Sequence, residues 1–218
     1  MTPKPLLLAS QSPRRQHMLR WLGIAFDYVS AEVDERQLPG EPPQQMAARL
    51  ARLKAQTVRP VHPAAWILAA DTVVDLAGRA LGKPANADEA GDMLRQLRNG
   101  PHQVHTGIAL AVPGQGIAAR IVTTHVTMRS YTDAEIEAYI ATGDPLDKAG
   151  AYAIQHAGFH PVARLDVCYT NVVGLPLYGV LRLLKDAGYS PVLEVDVPAL
   201  CRLHFGYSCP NPDEGVPL

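Results

Sequence analysis

The stretch Trp66-Ile67-Leu68-Ala69-Ala70-Asp71-Thr72-Val73-Val74-Asp75 constrains the fold most. Its apolar residues run continuously instead of alternating, so both faces of the strand it forms have to be covered. A strand covered on both faces lies inside a sheet with helices packed above and below, which is an α/β arrangement. Asp71 breaks the run. A carboxylate in such a strand is costly unless it pairs, binds a metal or changes protonation state. Strand ends of α/β sheets are where active-site groups project, so Asp71 reads as a functional residue.

A second constraint is Leu6 to Gly23, a short apolar strand followed by a Ser10-Gln11-Ser12 turn and a helix. Ser12 is placed as N-cap, Pro13 as the first helical residue and Gly23 just past the end. Arg14 and Arg15 fall in the first turn, where free N–H groups and the macrodipole already make the field positive. Either they are solvated and tolerate a small penalty, or an anion sits between them and the helix end. The neighbouring hydroxyls Ser10 and Ser12 favour the anion.

The rest of the chain reads as alternating elements. Ile24–Val29 is strand-like and leads to an acidic loop with Glu32, Asp34 and Glu35. Pro42-Pro43 start a helix through about Val58, with Met46, Leu50, Leu53 and Thr57 on one face. Lys54 sits at the edge of that stripe, either reaching inward or snorkelling. Gly78 begins a turn that Gly82-Lys83-Pro84 closes, and its spacing is not that of a Walker A loop. Asn86 with Glu89 and Thr132 with Glu135 mark two helix starts. Thr106–Val112 and Ile121–Met128 are strands, joined through a Gly114-Gln115-Gly116 hairpin. Ala151–Gln155 reads as strand-like, a further β segment reaches Asn171–Gly174, and Pro176 opens a last helix ending at Gly188. His156 and His160 have i, i+4 spacing, but Gly158 and Pro161 argue against a helix, so a metal site there is disfavoured. The expectation is one domain over 1–190 and an irregular, proline-rich tail over 191–218.

Composition narrows the function classes. A formal net charge of −1 over 218 residues draws the chain neither to nucleic acid nor to anionic membrane, so any anion site is local. No apolar run reaches membrane-spanning length. Three cysteines, an odd number with no C-x-x-C, argue for reduced thiols in the cytoplasm, although Cys201 and Cys209 are placed to pair in an oxidising compartment. Four basic groups (Arg14, Arg15, Lys54, Lys83), two carboxylates (Glu35, Asp71) and hydroxyls at Ser10 and Thr72 all lie near turns in the first 85 residues. Such a set suits a metal–polyphosphate complex: cations hold phosphate oxygens, while carboxylates hold a divalent ion and activate water.

Five segments, in order, resemble the motifs of the Maf family of nucleoside triphosphate pyrophosphatases. They are Ala9–Arg15, Ala70–Val74, Gly82-Lys83-Pro84, Asp147–Gln155 and Asn171–Leu177, within about residues 5 to 188. The resemblance implies an α/β body with a long mixed sheet flanked by helices, two lobes and a cleft between them (Maf/ITPase-like), often paired as a homodimer. It implies hydrolysis of a nucleoside triphosphate to monophosphate and pyrophosphate with a divalent metal, Mg²⁺ or Mn²⁺. It implies Asp71 as proton acceptor for the attacking water, Glu35 and Asp71 as metal ligands, and Ser10, Arg14, Arg15, Lys54 and Lys83 as phosphate-holding groups. The chain departs from the family at His156, where Gly is commoner, and in its tail.

Within the family, Arg14, Thr72 and Gln155 resemble the branch acting on dTTP and UTP. A branch with Trp where this chain has Arg14 prefers 7-methyl-GTP. Gln155 suits uracil, because an amide both donates to a carbonyl and accepts from N3–H. The rival readings are 7-methyl-GTP or another modified nucleotide as substrate, and a non-enzymatic, nucleotide-binding regulator of cell division, since family members have been associated with arrest of division and septum formation. Nucleic-acid binding is disfavoured by balanced charge and by only three Phe and two Trp for stacking.

Overall fold

The computed structural model describes residues 5–189, 195–207 and 209. Among them a seven-stranded mixed sheet forms the frame. Strand β1 (Leu6–Leu8) leads into helix α1 (Pro13–Arg20), β2 (Phe26–Tyr28), helix α2 (Pro43–Val58) and the long strand β3 (Trp66–Leu76). Next come β4 (Arg79–Leu81), α3 (Ala87–Leu97), the hairpin β5 (Pro101–Ala111) and β6 (Ile117–Met128), then α4 (Asp133–Ala141). The chain closes with β7 (Val162–Leu165), α5 (Tyr169–Val173), α6 (Leu177–Asp186) and α7 (Val197–Phe205). The helix starts lie where local capping puts them: Ser12, Asn86 and Thr132 each accept the backbone N–H three residues on.

Strand order is β2-β1-β3-β5-β6-β7, with β4 beside β3. β1 is parallel to β2 on one side and to β3 on the other, so the chain reverses direction across the sheet between β1 and β3. The remaining pairings are antiparallel. On the outer edge of β3, β1 covers residues 66–68 and β4 covers 74–76. The five residues between them, including Asp71 and Thr72, have no strand on that edge among the described residues. The expected strand end at Asp71 is therefore an interior strand position at an open edge.

Alternate faces of the sheet carry different cores. One face of β1, β3 and β5 packs through Leu8, Leu68 and Leu110 against α1, α5, α6 and α7. Farther along, Val74 and Val104 pack against α3 and α4. The opposite face carries Ile67, Ala69 and Ala109 under α2.

Helix α2 buries Ala47, Leu50, Ala51, Lys54, Ala55 and Val58, whereas Met46 and Leu53 are only half-buried and Thr57 is exposed. The buried stripe is thus centred on alanines, and Lys54 lies within it and not at its edge. Small residues let the helix backbone approach the sheet closely. Gly107 on β5 stands opposite Asp71, and a methyl group there would come within 2.3 Å of the Ala47 carbonyl oxygen. Gly107→Ala is expected to lower stability by about 1–3 kcal/mol, the usual cost of overpacking, and to displace α2 and with it Lys54. Chemical denaturation checks this; a change within about 0.5 kcal/mol would mean that α2 yields freely.

Three sequence expectations fail in particular places. Ala151–Gln155 is not a strand; Ala151 ends the second of two 3-10 turns, and Gly150 and Ala151 both have positive φ (69° and 57°). Asn171–Val173 lies in helix α5, with Gly174 as its left-handed cap. The described part of the tail holds helix α7, whose Val197 and Cys201 are fully buried in the same cluster as β1 and α6. Residues 190–194, 208 and 210–218, where the rest of the tail reading falls, lie outside the described residues.

Candidate active site

The site opens where the parallel strands reverse order, beyond the carboxyl end of β1 and beside the open edge of β3, the usual binding position in open α/β sheets. A cavity of about 620 Å³ lies there. Ser10, Arg14, Arg15, Glu35, Lys54, Asp71, Thr72, Lys83 and Gln155 all line it, so every sequence-selected site residue reaches one space.

At the floor, Lys54 Nζ lies 2.5 Å from Asp71 Oδ1 and 2.6 Å from Glu35 Oε1. Lys54 and Asp71 are 8% and 7% exposed, which removes the snorkelling alternative for Lys54. The two carboxylates are driven in opposite directions. Burial pushes the Asp71 carboxyl above its ordinary range, against the attraction of Lys54 and Arg15. Burial also acts on Glu35, but the Lys54 hydrogen bond and charge outweigh it and the net shift is downward. A pair pushed apart in this way separates a proton-accepting carboxylate, Asp71, from one that stays ionised, Glu35.

The acidic loop that carries Glu35 is pinned from α2. Arg49 holds both carboxylate oxygens of Glu41 (2.6 and 2.8 Å) and donates to the Arg36 carbonyl at 3.0 Å. Helix α2 therefore supplies both the cation between the carboxylates and the clamp on the loop bringing one of them.

Arg15 is fixed by neutral acceptors. Its Nε donates to the Gly174 carbonyl (2.8 Å), Nη2 to Thr72 Oγ1 (3.0 Å) and Nη1 to Ser10 Oγ (3.4 Å). Thr72 is held in turn by Thr106 Oγ1 at 2.9 Å, and Thr106 donates to the Asn171 carbonyl. With no carboxylate bound among the described residues, the guanidinium keeps two further N–H donors for a ligand. Arg14 pairs with Asp147 at 3.2 Å at the rim, a partly exposed ion pair worth little. The side chains of Lys83 and Gln155 line the cavity with no ion pair or hydrogen bond among the described residues.

Several contributors escape a reading of the sequence. The Gly174 carbonyl is 159 residues from Arg15, and only the glycine's left-handed φ of 118° hints at a special place. Lys148 lines the cavity, buried and bonded to Asp144 and Asp147 (2.9 and 2.6 Å); its charged loop was the available signal. Tyr152 also lines the cavity, and its hydroxyl meets His102 Nε2 at 2.8 Å. His156, the family departure, does not line the cavity: its Nδ1 accepts from the Phe159 N–H and its ring packs on Tyr139.

Fold and site together define a class: a mixed-sheet α/β protein whose cleft, at the turning point of its parallel strands, is lined by Arg14, Arg15, Lys54, Lys83 and Lys148. The family model described as Maf-like protein matches residues 5–187, and the chain belongs to that family. It is 46% identical over 192 residues to a dTTP/UTP pyrophosphatase of Anaeromyxobacter dehalogenans, covering 87% of this chain and 96% of that protein. It is 48% identical to one of Halalkalibacterium halodurans (86% and 98% covered) and 48% identical to one of Thermomicrobium roseum (90% and 91% covered).

Proposed function

We propose that this chain hydrolyses dTTP, UTP and their 5-substituted relatives to the nucleoside monophosphate and pyrophosphate. The observation that carries it is the buried Lys54–Asp71 pair, joined by the exposed Glu35, facing the same cavity as Arg15, Lys83 and Ser10. The relatives' name adds the substrate class. Asp71 takes the proton of the attacking water, since burial has already raised its affinity for one. Arg15 and Lys83 hold phosphate oxygens, with Lys54 next to both carboxylates, and the charge they supply counters that of the leaving pyrophosphate.

The donor set also fits a divalent ion, Mg²⁺ or Mn²⁺, that arrives with the triphosphate. Among the described residues no group of three or more His, Cys, Asp or Glu is arranged to hold a metal alone. Two carboxylates, Glu35 and Asp71, are what such an ion needs when substrate phosphates and waters complete its shell. Once bound, the ion would neutralise phosphate charge and lower the pKa of water. Cytoplasmic residence and a homodimer belong to the same proposal. The first is supported by three free cysteines; no described helix is long and apolar enough to cross a membrane.

Gln155 is assigned to the base. Its amide has no hydrogen bond among the described residues, and it can accept from uracil N3–H while donating to a ring carbonyl; cytosine offers the reverse pattern. A site built on such bonds discriminates strongly, because a mismatch leaves its polar groups unpaired. The test is kcat/KM for UTP, dTTP, CTP, GTP and 7-methyl-GTP with wild type and Gln155→Glu. Wild type is expected to favour UTP and dTTP, and the substitution to lower the UTP-to-CTP ratio at least tenfold, the effect of about 1.4 kcal/mol. Preference for either guanine nucleotide, or an unchanged ratio, would overturn the assignment.

A further inference from the structure

Gln155 lines the cavity but makes no hydrogen bond among the described residues, so the backbone beneath it decides where its amide sits. That backbone is a four-residue turn, closed by the His156 N–H donating to the Ala153 carbonyl at 3.2 Å. Ala153 lies in no helix or strand, and its own N–H donates to the Tyr139 hydroxyl at 2.9 Å. Tyr139 belongs to α4, is 2% exposed and does not line the cavity. Its hydroxyl donates to Asp144 Oδ2 at 2.7 Å. Burial acts on Asp144, but hydrogen bonds from Tyr139 and Lys148 outweigh it, and the net shift of its carboxyl is downward. An ionised carboxylate only accepts, so the hydroxyl gives its proton to Asp144 and turns a lone pair to Ala153. The ring is held too: it stacks on Phe159 (4.4 Å, 16°), and His156 meets it edge-on at 4.7 Å. Asp144 does not depend on Tyr139 for its place, because Lys148 bridges it to Asp147 (2.9 and 2.6 Å).

We propose that Tyr139 is a positioning residue for base recognition: from outside the cavity, its hydroxyl fixes the turn that presents Gln155. The inference rests on the assignment of Gln155 to the base. An amide tells uracil from cytosine only if its oxygen and nitrogen are held in register with the ring edge, and a turn free to shift would let it follow either pattern. The Tyr139 bond is the anchor at the start of that turn, two residues before Gln155. By reciprocity, if an ordered turn favours uracil, then bound uracil must order the turn more than bound cytosine does.

The test compares wild type with Tyr139→Phe and with Tyr131→Phe as a matched control. Tyr131 is also buried, its hydroxyl donates to the Leu94 carbonyl at 2.8 Å, and its ring packs on the same Phe159. Among the described residues it has no hydrogen bond to the turn. Both substitutions remove one buried hydroxyl and should lower Tm by several degrees. Only Tyr139→Phe should lower the UTP-to-CTP ratio of kcat/KM, by at least about fivefold, since a small misplacement far from the chemistry can cost up to ~10²-fold. Inhibition by pyrophosphate, which carries no base, should be unchanged in both. Amide exchange followed by NMR should show the Ala153 N–H protected in wild type and in Tyr131→Phe, and at least about tenfold faster in Tyr139→Phe. In wild type alone, saturating UMP should slow that exchange more than saturating CMP. An unprotected Ala153 amide, equal effects of UMP and CMP, an unchanged UTP-to-CTP ratio in Tyr139→Phe, an equal fall in Tyr131→Phe, or altered pyrophosphate inhibition in Tyr139→Phe would each overturn the proposal. A wild type with no preference for UTP over CTP would instead remove the Gln155 assignment, and this inference with it.

Discussion

Asp71→Asn is expected to lower kcat/KM for UTP by ~10²–10⁴-fold, the usual loss when general-base help is removed, while leaving the fold intact. Asn matches Asp in shape, so the ladder opposite Gly107 and the packing under α2 are undisturbed. Its side-chain oxygen can still accept from Lys54 Nζ, now 2.5 Å away. What it cannot do is take a proton. Burial has raised the proton affinity of Asp71, whereas Glu35 is shifted the other way and is the weaker base. Turnover and thermal unfolding measured on the same preparation separate chemistry from folding. A variant that keeps its Tm and more than about a tenth of wild-type kcat/KM would move the base elsewhere.

Lys54→Met should act on both activity and stability. Met keeps the length and helix preference of Lys but removes the ammonium that bridges two carboxylates 2.5 and 2.6 Å from its nitrogen. Removing one partner of a buried ion pair costs about 3–5 kcal/mol when the other charge stays. Asp71 escapes part of that cost by holding a proton, which also disables it as a base, so kcat/KM should fall at least about 10²-fold. The pH dependence has a definite sign. A carboxyl whose folded-state pKa is raised binds more protons folded than unfolded, so its contribution to stability is lost as pH rises past the ordinary carboxylate value of about 4. Removing Lys54 raises the Asp71 pKa further. The stability deficit of the variant against wild type should therefore be small near pH 4 and grow toward neutral pH. A deficit equal at both ends would show that Asp71 does not feel Lys54.

Local rules made much of this legible in the sequence. Ser12, Asn86 and Thr132 set helix starts because caps act over three residues. The continuous apolar run of β3 required cover on both faces, which α2 on one side and α1 and α6 on the other provide. Long-range chemistry was less visible. Val172-Val173 favour a strand by propensity, yet Asn171 Nδ2 reaches the Val104 carbonyl and Thr124 Oγ1 from within helix α5, and those buried bonds override the preference. Ala151–Gln155 is apolar enough to resemble a strand, but the left-handed Gly150 and Ala151 at its start turn the chain. For α2, counting large apolar residues misplaced the stripe, because alanines and Gly107 decide which face approaches the sheet. At the site, residue types marked out Arg15, Lys54 and Asp71; the carbonyl of Gly174 and the loop clamp at Arg49 are three-dimensional facts without a local signature.

The most direct measurement is the product analysis of UTP turnover by the purified chain, with Mg²⁺ or Mn²⁺ and with excess chelator. Cleavage between the α- and β-phosphates should give UMP and pyrophosphate in equal amounts from the first turnover, and chelator should abolish it. Orthophosphate as the first product, equal activity in chelator, or no turnover of any triphosphate would contradict the reading of this cleft as a pyrophosphatase site.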